Sequence, residues 1–226
     1  MVGLLLLAGC STIEQSTIHG LTEGKYKAKA EGRKQPVYAV VDADSIRLYP
    51  LLSARPLKPD TTLVQTFCFT QSGSSLPPRL SKTSLDIDLT TVLLKYRFQQ
   101  SNLPNQVNAN LNVNLYVGWR KDYYSFHDQR SPLNVSSRKE SHFQFDVGLF
   151  AGFGISAINP TVTNNQTDKE YDGFVFQKGI AGFVGMKRIT LGLSLGFDNL
   201  LDPNKNIWAY QQKPWIGLML GINLGE

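Results

Sequence analysis

From about residue 83 onward, apolar side chains fall at every second position over unusually long runs. In residues 106–120 one row reads Val107, Ala109, Leu111, Val113, Leu115, Val117 and Trp119. The opposite row reads Gln106, Asn108, Asn110, Asn112, Asn114, Tyr116, Gly118 and Arg120. Residues 142–157 set Phe143, Phe145, Val147, Leu149, Ala151, Phe153, Ile155 and Ala157 against a row that includes His142, Gln144, Asp146, Gly148 and Ser156. The same period runs from Ile189 to Phe197 and from Ile216 to Leu224. A period of two is the side-chain period of a β-strand, so these runs predict strands. Residues 85–98 alternate as well, but the apolar phase slips near Thr91–Leu94, which predicts a β-bulge. Residues 173–187 are mixed and read as a further strand.

Alternation alone does not say which row is buried, because a soluble barrel alternates with its apolar side inward. Three features point the other way. Globular strands average about five or six residues, whereas a tilted membrane strand needs about 9–11, and these runs are of the longer kind. The polar rows carry Asn, Gly, Ser, Thr and Gln rather than the Lys and Glu of a water-facing surface. Charged residues make up only 18% of the chain, against a usual value of about 25%. Aromatic residues also gather near run ends: Trp119, Tyr123, Tyr124 and Phe126; Tyr171, Phe174 and Phe176; Trp208, Tyr210 and Trp215. Such clusters match the girdles of outer-membrane barrels. Lipid cannot satisfy backbone N–H and C=O groups, so strands in a membrane must close on themselves. The expected fold is therefore all-β: a small antiparallel transmembrane β-barrel of about eight strands, with a short β-rich N-terminal region. Six strands are clear after residue 83, and the others are expected from 61–71, from 121–140 or from a hairpin at 36–50.

The stretches TSLDIDLTTVLLKYRF, LPNQVNANLNVNLYVGWRKDYY and GFVGMKRITLGLSLGFDNLLDPNKNIWAYQQKPWIGLMLGINL resemble a family of uncharacterised outer-membrane barrel proteins from Bacteroidota. The likeness covers residues 83–225 and implies fold and location, not an activity. Leu7-Ala8-Gly9-Cys10 closes an apolar run from Met1 and resembles the lipobox of bacterial lipoproteins. That resemblance implies lipidation at Cys10, whose thiolate is the nucleophile that accepts the lipid. Residues 1–9 are then a signal peptide, 10–80 a tether and β-rich periplasmic region, and 81–226 the outer-membrane barrel. The apolar run is too short to span a bilayer as a helix, which needs about 20 residues. Export to the envelope argues against nucleic acid as a partner. The formal net charge of +5 suits anionic partners such as lipid head groups or cell-wall polymers. Lys25, Lys27, Lys29, Arg33 and Lys34 crowd the N-terminal region, where a solvated hairpin face is the first expectation and an anion-binding patch the second.

Little in the chain points to catalysis. Residues 36–50 read as a hairpin whose turn holds Asp42 and Asp44, and that pair is expected to serve the turn. Cys68 is expected to be a small buried apolar residue. The histidines are His19, His127 and His142, and a rim-located lipid hydrolase would need His142 with Ser141 or Ser156, or His127 with Ser125. An interior polar network is the plainer expectation for His142. Asp86, Asp88, Asp146 and Arg120 are expected to share the polar face as salt bridges that plug the lumen, with a pore lining as the alternative. No P-loop, Rossmann glycine pattern or zinc-ligand spacing occurs, so no cofactor or metal is expected. The function expected from sequence is structural or accessory, in an envelope complex whose partners are outer-membrane lipids and other envelope proteins. The alternatives are a lipid-anchored soluble barrel holding a small apolar ligand, and the rim-located hydrolase.

Overall fold

The computed structural model describes residues 21–30, 32–52, 58–68, 76–100, 103–130, 136–186 and 189–222. Cys10 and His19 lie outside these residues. The described chain is built from antiparallel strands: β1 Gly24–Ala30, β2 Arg33–Val41, β3 Ser45–Pro50, β4 Gln65–Cys68, β5 Arg79–Arg97 and β6 Gln106–Asn108. The series continues with β7 Asn112–Arg130, β8 Ser136–Ile158, β9 Tyr171–Met186, β10 Ile189–Leu200 and β11 Pro214–Ile222. Two 3-10 turns, Thr161–Thr163 and Pro203–Asn206, complete the described elements.

Strands β5, β7, β8, β9, β10 and β11 pair in that order, and β11 returns to pair with β5 from Ile222↔Leu89 to Trp215↔Arg97. The ring of pairings therefore closes, with β6 continuing the β7 side of β5. Its membership is six strands rather than the eight or so expected. The difference has a physical cause. Residues 121–140 add no strand of their own, because β7 and β8 are 19 and 23 residues long and stay paired out to Arg130↔Ser136. The hairpin at 36–50 and the strand within 61–71 join an arm of the same sheet, β1-β2-β3-β4, that branches from β5 instead of entering the ring.

That arm attaches where β1 pairs with the first residues of β5, Lys27↔Ser81 to Lys29↔Arg79. Tyr26, Val37, Ile46 and Leu48 of the arm form one buried core with Leu80, Tyr124 and Phe126 of the ring strands. The tall β7–β8 hairpin is thus the support on which the N-terminal sheet packs, and the two regions share a core. We call this the near end. At the far end Leu103, Ile158, Val162, Val175, Leu200, Trp208 and Tyr210 form a second apolar cluster beneath the loops.

The bulge falls where the phase slip placed it. Leu94 pairs with Leu218 and Val92 with Met219, so Leu93 is the extra residue and both Leu93 and Leu94 point outward. The ladder to β7 is interrupted beside it, and Asn112 repairs the gap with its side chain. The Val92 N–H donates to Asn112 Oδ1 at 2.7 Å, and Asn112 Nδ2 donates to the Val92 carbonyl at 2.8 Å. A side-chain amide here stands in for a missing peptide group and satisfies both backbone groups of Val92.

Two outcomes follow. Asn112→Ala removes both bonds and leaves two buried backbone groups unpaired; denaturant unfolding should show a loss of about 2–4 kcal/mol. Glu140, half-buried on β8 near the N-terminal sheet, has its carboxyl pushed up to about 8 by desolvation. Its ionisation is harder in the folded protein, so its contribution is most favourable below the ordinary glutamate range and declines as pH rises toward and past about 8. Glu140→Gln should therefore flatten the fall in stability between mildly acidic and alkaline pH, and an unchanged slope would contradict this account.

Candidate functional site: the apolar wall and the polar interior

The two rows of each ring strand are sorted by chemistry in an unusual direction. Leu111 is 75% exposed, Phe145 47% and Leu193 66%. Leu85, Ile87, Val113, Leu115, Trp119, Phe143, Leu149, Phe153, Phe174, Ile180, Leu191 and Ile216 stand outward with them. Asp86, Asp88, Asn112, Asn114, Gln144, Asp146, Gln177, Thr190, Ser194 and Asp198 are buried. A water-soluble domain buries its apolar row, because that burial is the main drive to fold. Here the polar row is buried and the apolar row forms a continuous outer wall, far larger than the patches monomeric soluble proteins expose. Lys178 is the one charged side chain on this wall between Phe174 and Val184 of β9, set beside Ala151 and Phe197 on the neighbouring strands.

The interior is a stack of bonded side chains. Toward the far end Asp198 is fully buried and takes three donors. Lys95 Nζ reaches both of its oxygens at 3.1 Å, Trp215 Nε1 donates at 2.9 Å, and Arg97 Nη2 completes the set. In the middle Gln177 Nε2 donates to Asn114 Oδ1 at 2.7 Å, and Val92, Phe150, Phe183, Trp215 and Met219 form a buried apolar cluster. Toward the near end the Tyr116 hydroxyl donates to Asp146 at 2.5 Å, and Arg120 Nη1 lies 3.2 Å from Asp86. Arg120 also approaches Asp122, which lies 2.8 Å from His142 Nε2. The His142 ring stacks on Tyr124 at 4.5 Å. Glycine is required within this stack. A Cβ at Gly118 would fall on the Tyr116 hydroxyl and the Asp146 carboxylate.

Several expected groupings are present and others are not. Asp86, Asp88, Asp146 and Arg120 do share the interior, with Arg120 and Asp86 paired. His142 belongs to the interior network. Ser141 is its chain neighbour and so points to the opposite face, while Ser156 lies fourteen residues on, roughly 46 Å along the strand at about 3.3 Å per residue. Ser125 and His127 stand opposite Ser141 and Lys139 on the hairpin. Asp42 is held by Arg47 at 3.0 Å, as a turn residue. Lys25, Lys27, Lys29, Arg33 and Lys34 are exposed on β1 and β2, alternating with the buried Tyr26 and Ala28. The aromatic girdle reading needs correction for three residues. Trp208, Tyr210 and Trp215 are buried, because the loop before β11 folds back over the ring and strand parity turns Trp215 inward.

The sequence reading missed Lys95, Arg97 and Gln177, and it placed Asp198 on the polar row without assigning it partners. Their signal was parity. Carrying the alternation through the bulge at Leu93 puts Lys95 and Arg97 on the inner row, and Asp198 continues the row of Ser194 and Gly196. Among the described residues no cluster of His, Cys, Asp and Glu is arranged to hold a metal. Comparison with known protein families, with curated proteins and with solved structures finds no match to this chain.

Removing the anion at the centre of the far-end cluster should be costly. Asp198→Asn leaves two buried cations without their counter-charge, and a loss of about 3–5 kcal/mol is expected. Because Trp215 donates to Asp198, the same variant should shift tryptophan emission, which reports the site independently of global stability.

Proposed function

We propose that this chain is an outer-membrane β-barrel lipoprotein, anchored through Cys10 and with its N-terminal region in the periplasm, that serves a structural or accessory role in a cell-envelope complex. One observation carries the reading: the ring turns its apolar rows outward and its amide, glycine and carboxylate rows inward. In water that arrangement would forfeit the burial that drives folding; in hydrocarbon it is the favourable one. The closed ladder supports it, because every ring strand has a partner on both sides. The lumen, packed with side chains that bond one another, favours a plugged scaffold over a conducting pore. The shared core at the near end gives such a scaffold a purpose, holding a four-stranded sheet rigidly at one membrane face. The exposed lysines of β1 and β2 on that sheet suit an anionic envelope surface as partner.

The alternative of a soluble barrel around an apolar ligand requires an open apolar interior, whereas the interior here is filled by bonded polar side chains and by Val92, Phe150, Phe183, Trp215 and Met219 packed together. The hydrolase alternative loses the His142–Ser141 and His142–Ser156 pairings and keeps Ser125 with His127, two residues apart on one face of β7. Lys178 fits the membrane reading as a long side chain that rests its stem on the wall and lifts its ammonium toward the head groups.

The membrane reading is tested by Leu193→Arg. On a water-facing wall this exchange is nearly neutral. In a bilayer it should cost about 2–4 kcal/mol when the protein is refolded into vesicles. Separately, Cys10→Ala should remain in the membrane pellet after carbonate extraction and keep heat-modifiable gel migration. Release of that variant as a soluble species would defeat the proposal.

A further inference from the structure

A cavity of about 170 Å³ lies at the far end, beneath the loop that carries Thr161–Thr163. Its walls include Arg97, Asn108, Ser156, Asn159, Thr161 and Tyr210. That volume is close to the roughly 150 Å³ that holds one benzene-sized molecule. Three buried polar atoms on these walls have no hydrogen-bond partner among the described residues: Arg97 Nη1, Asn108 Oδ1 and the Tyr210 hydroxyl. Arg97 and Tyr210 are each only 2% exposed, so bulk water does not serve them freely. Buried polar groups are ordinarily bonded, and three unbonded ones around one cavity call for an occupant.

The charges say what kind. Lys95 and Arg97 both converge on Asp198, which leaves this buried cluster with one positive charge in excess. Asp198 is already engaged by Lys95, Arg97 Nη2 and Trp215, while Nη1 is the guanidinium nitrogen left without a partner. The guanidinium is held in place by the Tyr210 ring at 4.8 Å and the Trp208 ring at 5.3 Å. A water molecule could accept the hydrogen bonds but could not balance the charge. A phosphate dianion would overbalance it.

We propose that this cavity is a binding site for a small organic monocarboxylate bearing a hydroxyl group. Its carboxylate accepts from Arg97 Nη1 and from the Tyr210 hydroxyl, and its own hydroxyl donates to Asn108 Oδ1. The site does not depend on whether the outer wall faces lipid, so its test is separate from the membrane test.

The full chain in detergent is titrated with lactate, and its thermal unfolding midpoint and a calorimetric binding isotherm are recorded. Lactate should raise the midpoint saturably. Propionate, which lacks the hydroxyl, should bind about tenfold more weakly, the worth of roughly one buried hydrogen bond. Tyr210→Phe and Asn108→Ala should each weaken lactate by about tenfold or more while leaving the strand content unchanged by circular dichroism. These variants spare Asp198's partners, whereas Arg97→Gln would disturb the ion cluster itself. The proposal is overturned by no saturable response to lactate, by an equal response to inorganic phosphate or chloride, or by a lactate response that survives Tyr210→Phe.

Discussion

Closure of the β5–β11 ladder is the constraint on which the rest of the structure hangs. An open sheet of this composition would leave a row of backbone N–H and C=O groups without partners at each edge. Once Ile222 to Trp215 lie against Leu89 to Arg97, the outer wall no longer has to hide polar backbone. It can then be apolar over most of its area, with Lys178 the charged exception between Phe174 and Val184. The one place where the ladder falters, beside the bulge at Leu93, is mended by the Asn112 amide. That repair shows how strictly the backbone must be satisfied: a polar side chain is taken from the lumen to complete a peptide ladder.

A ring of six strands leaves a narrow bore, and narrowness decides the interior. Facing side chains approach until they touch, so carboxylates and cations buried there have to pair. Buried ion pairs are not strong sources of stability, since desolvation offsets much of their attraction. Their effect is better described as specification. Asp198 accepts Lys95, Arg97 and Trp215 from two strands at once and fixes how β5, β10 and β11 meet. The tall β7–β8 hairpin does the same for the near end, where Tyr124 and Phe126 belong as much to the N-terminal sheet as to the ring.

Much of this was legible in the residues. Strand type and row orientation followed from the alternation, because a period of two leaves only the choice of which row faces out, and the amide-rich rows made that choice. The bulge was visible as a slip at Thr91–Leu94, and the 36–50 hairpin as two β-rich runs about Asp42-Ala43-Asp44. What could not be read was the allocation of strands. Residues 121–140 and 36–50 carry ordinary strand signals, and nothing local says whether a strand joins the ring, extends an existing hairpin or builds an arm outside the ring. The far-end site was hidden for the same reason: Arg97, Asn108 and Tyr210 come from three separate segments and meet only when the loop before β11 folds back.

The sequence by itself determined the chemistry of each face, since side chains on a strand have no freedom to change sides once the register is set. It thereby determined that this is a chain of long antiparallel strands, apolar on one side and amide-lined on the other. Only the tertiary structure decided how many strands close the ring, that Trp208, Tyr210 and Trp215 turn inward instead of forming a girdle, and that Lys95 and Arg97 share a single carboxylate. Those outcomes depend on long-range pairing and on the space left inside a narrow bore, and neither is encoded in any one segment of the chain.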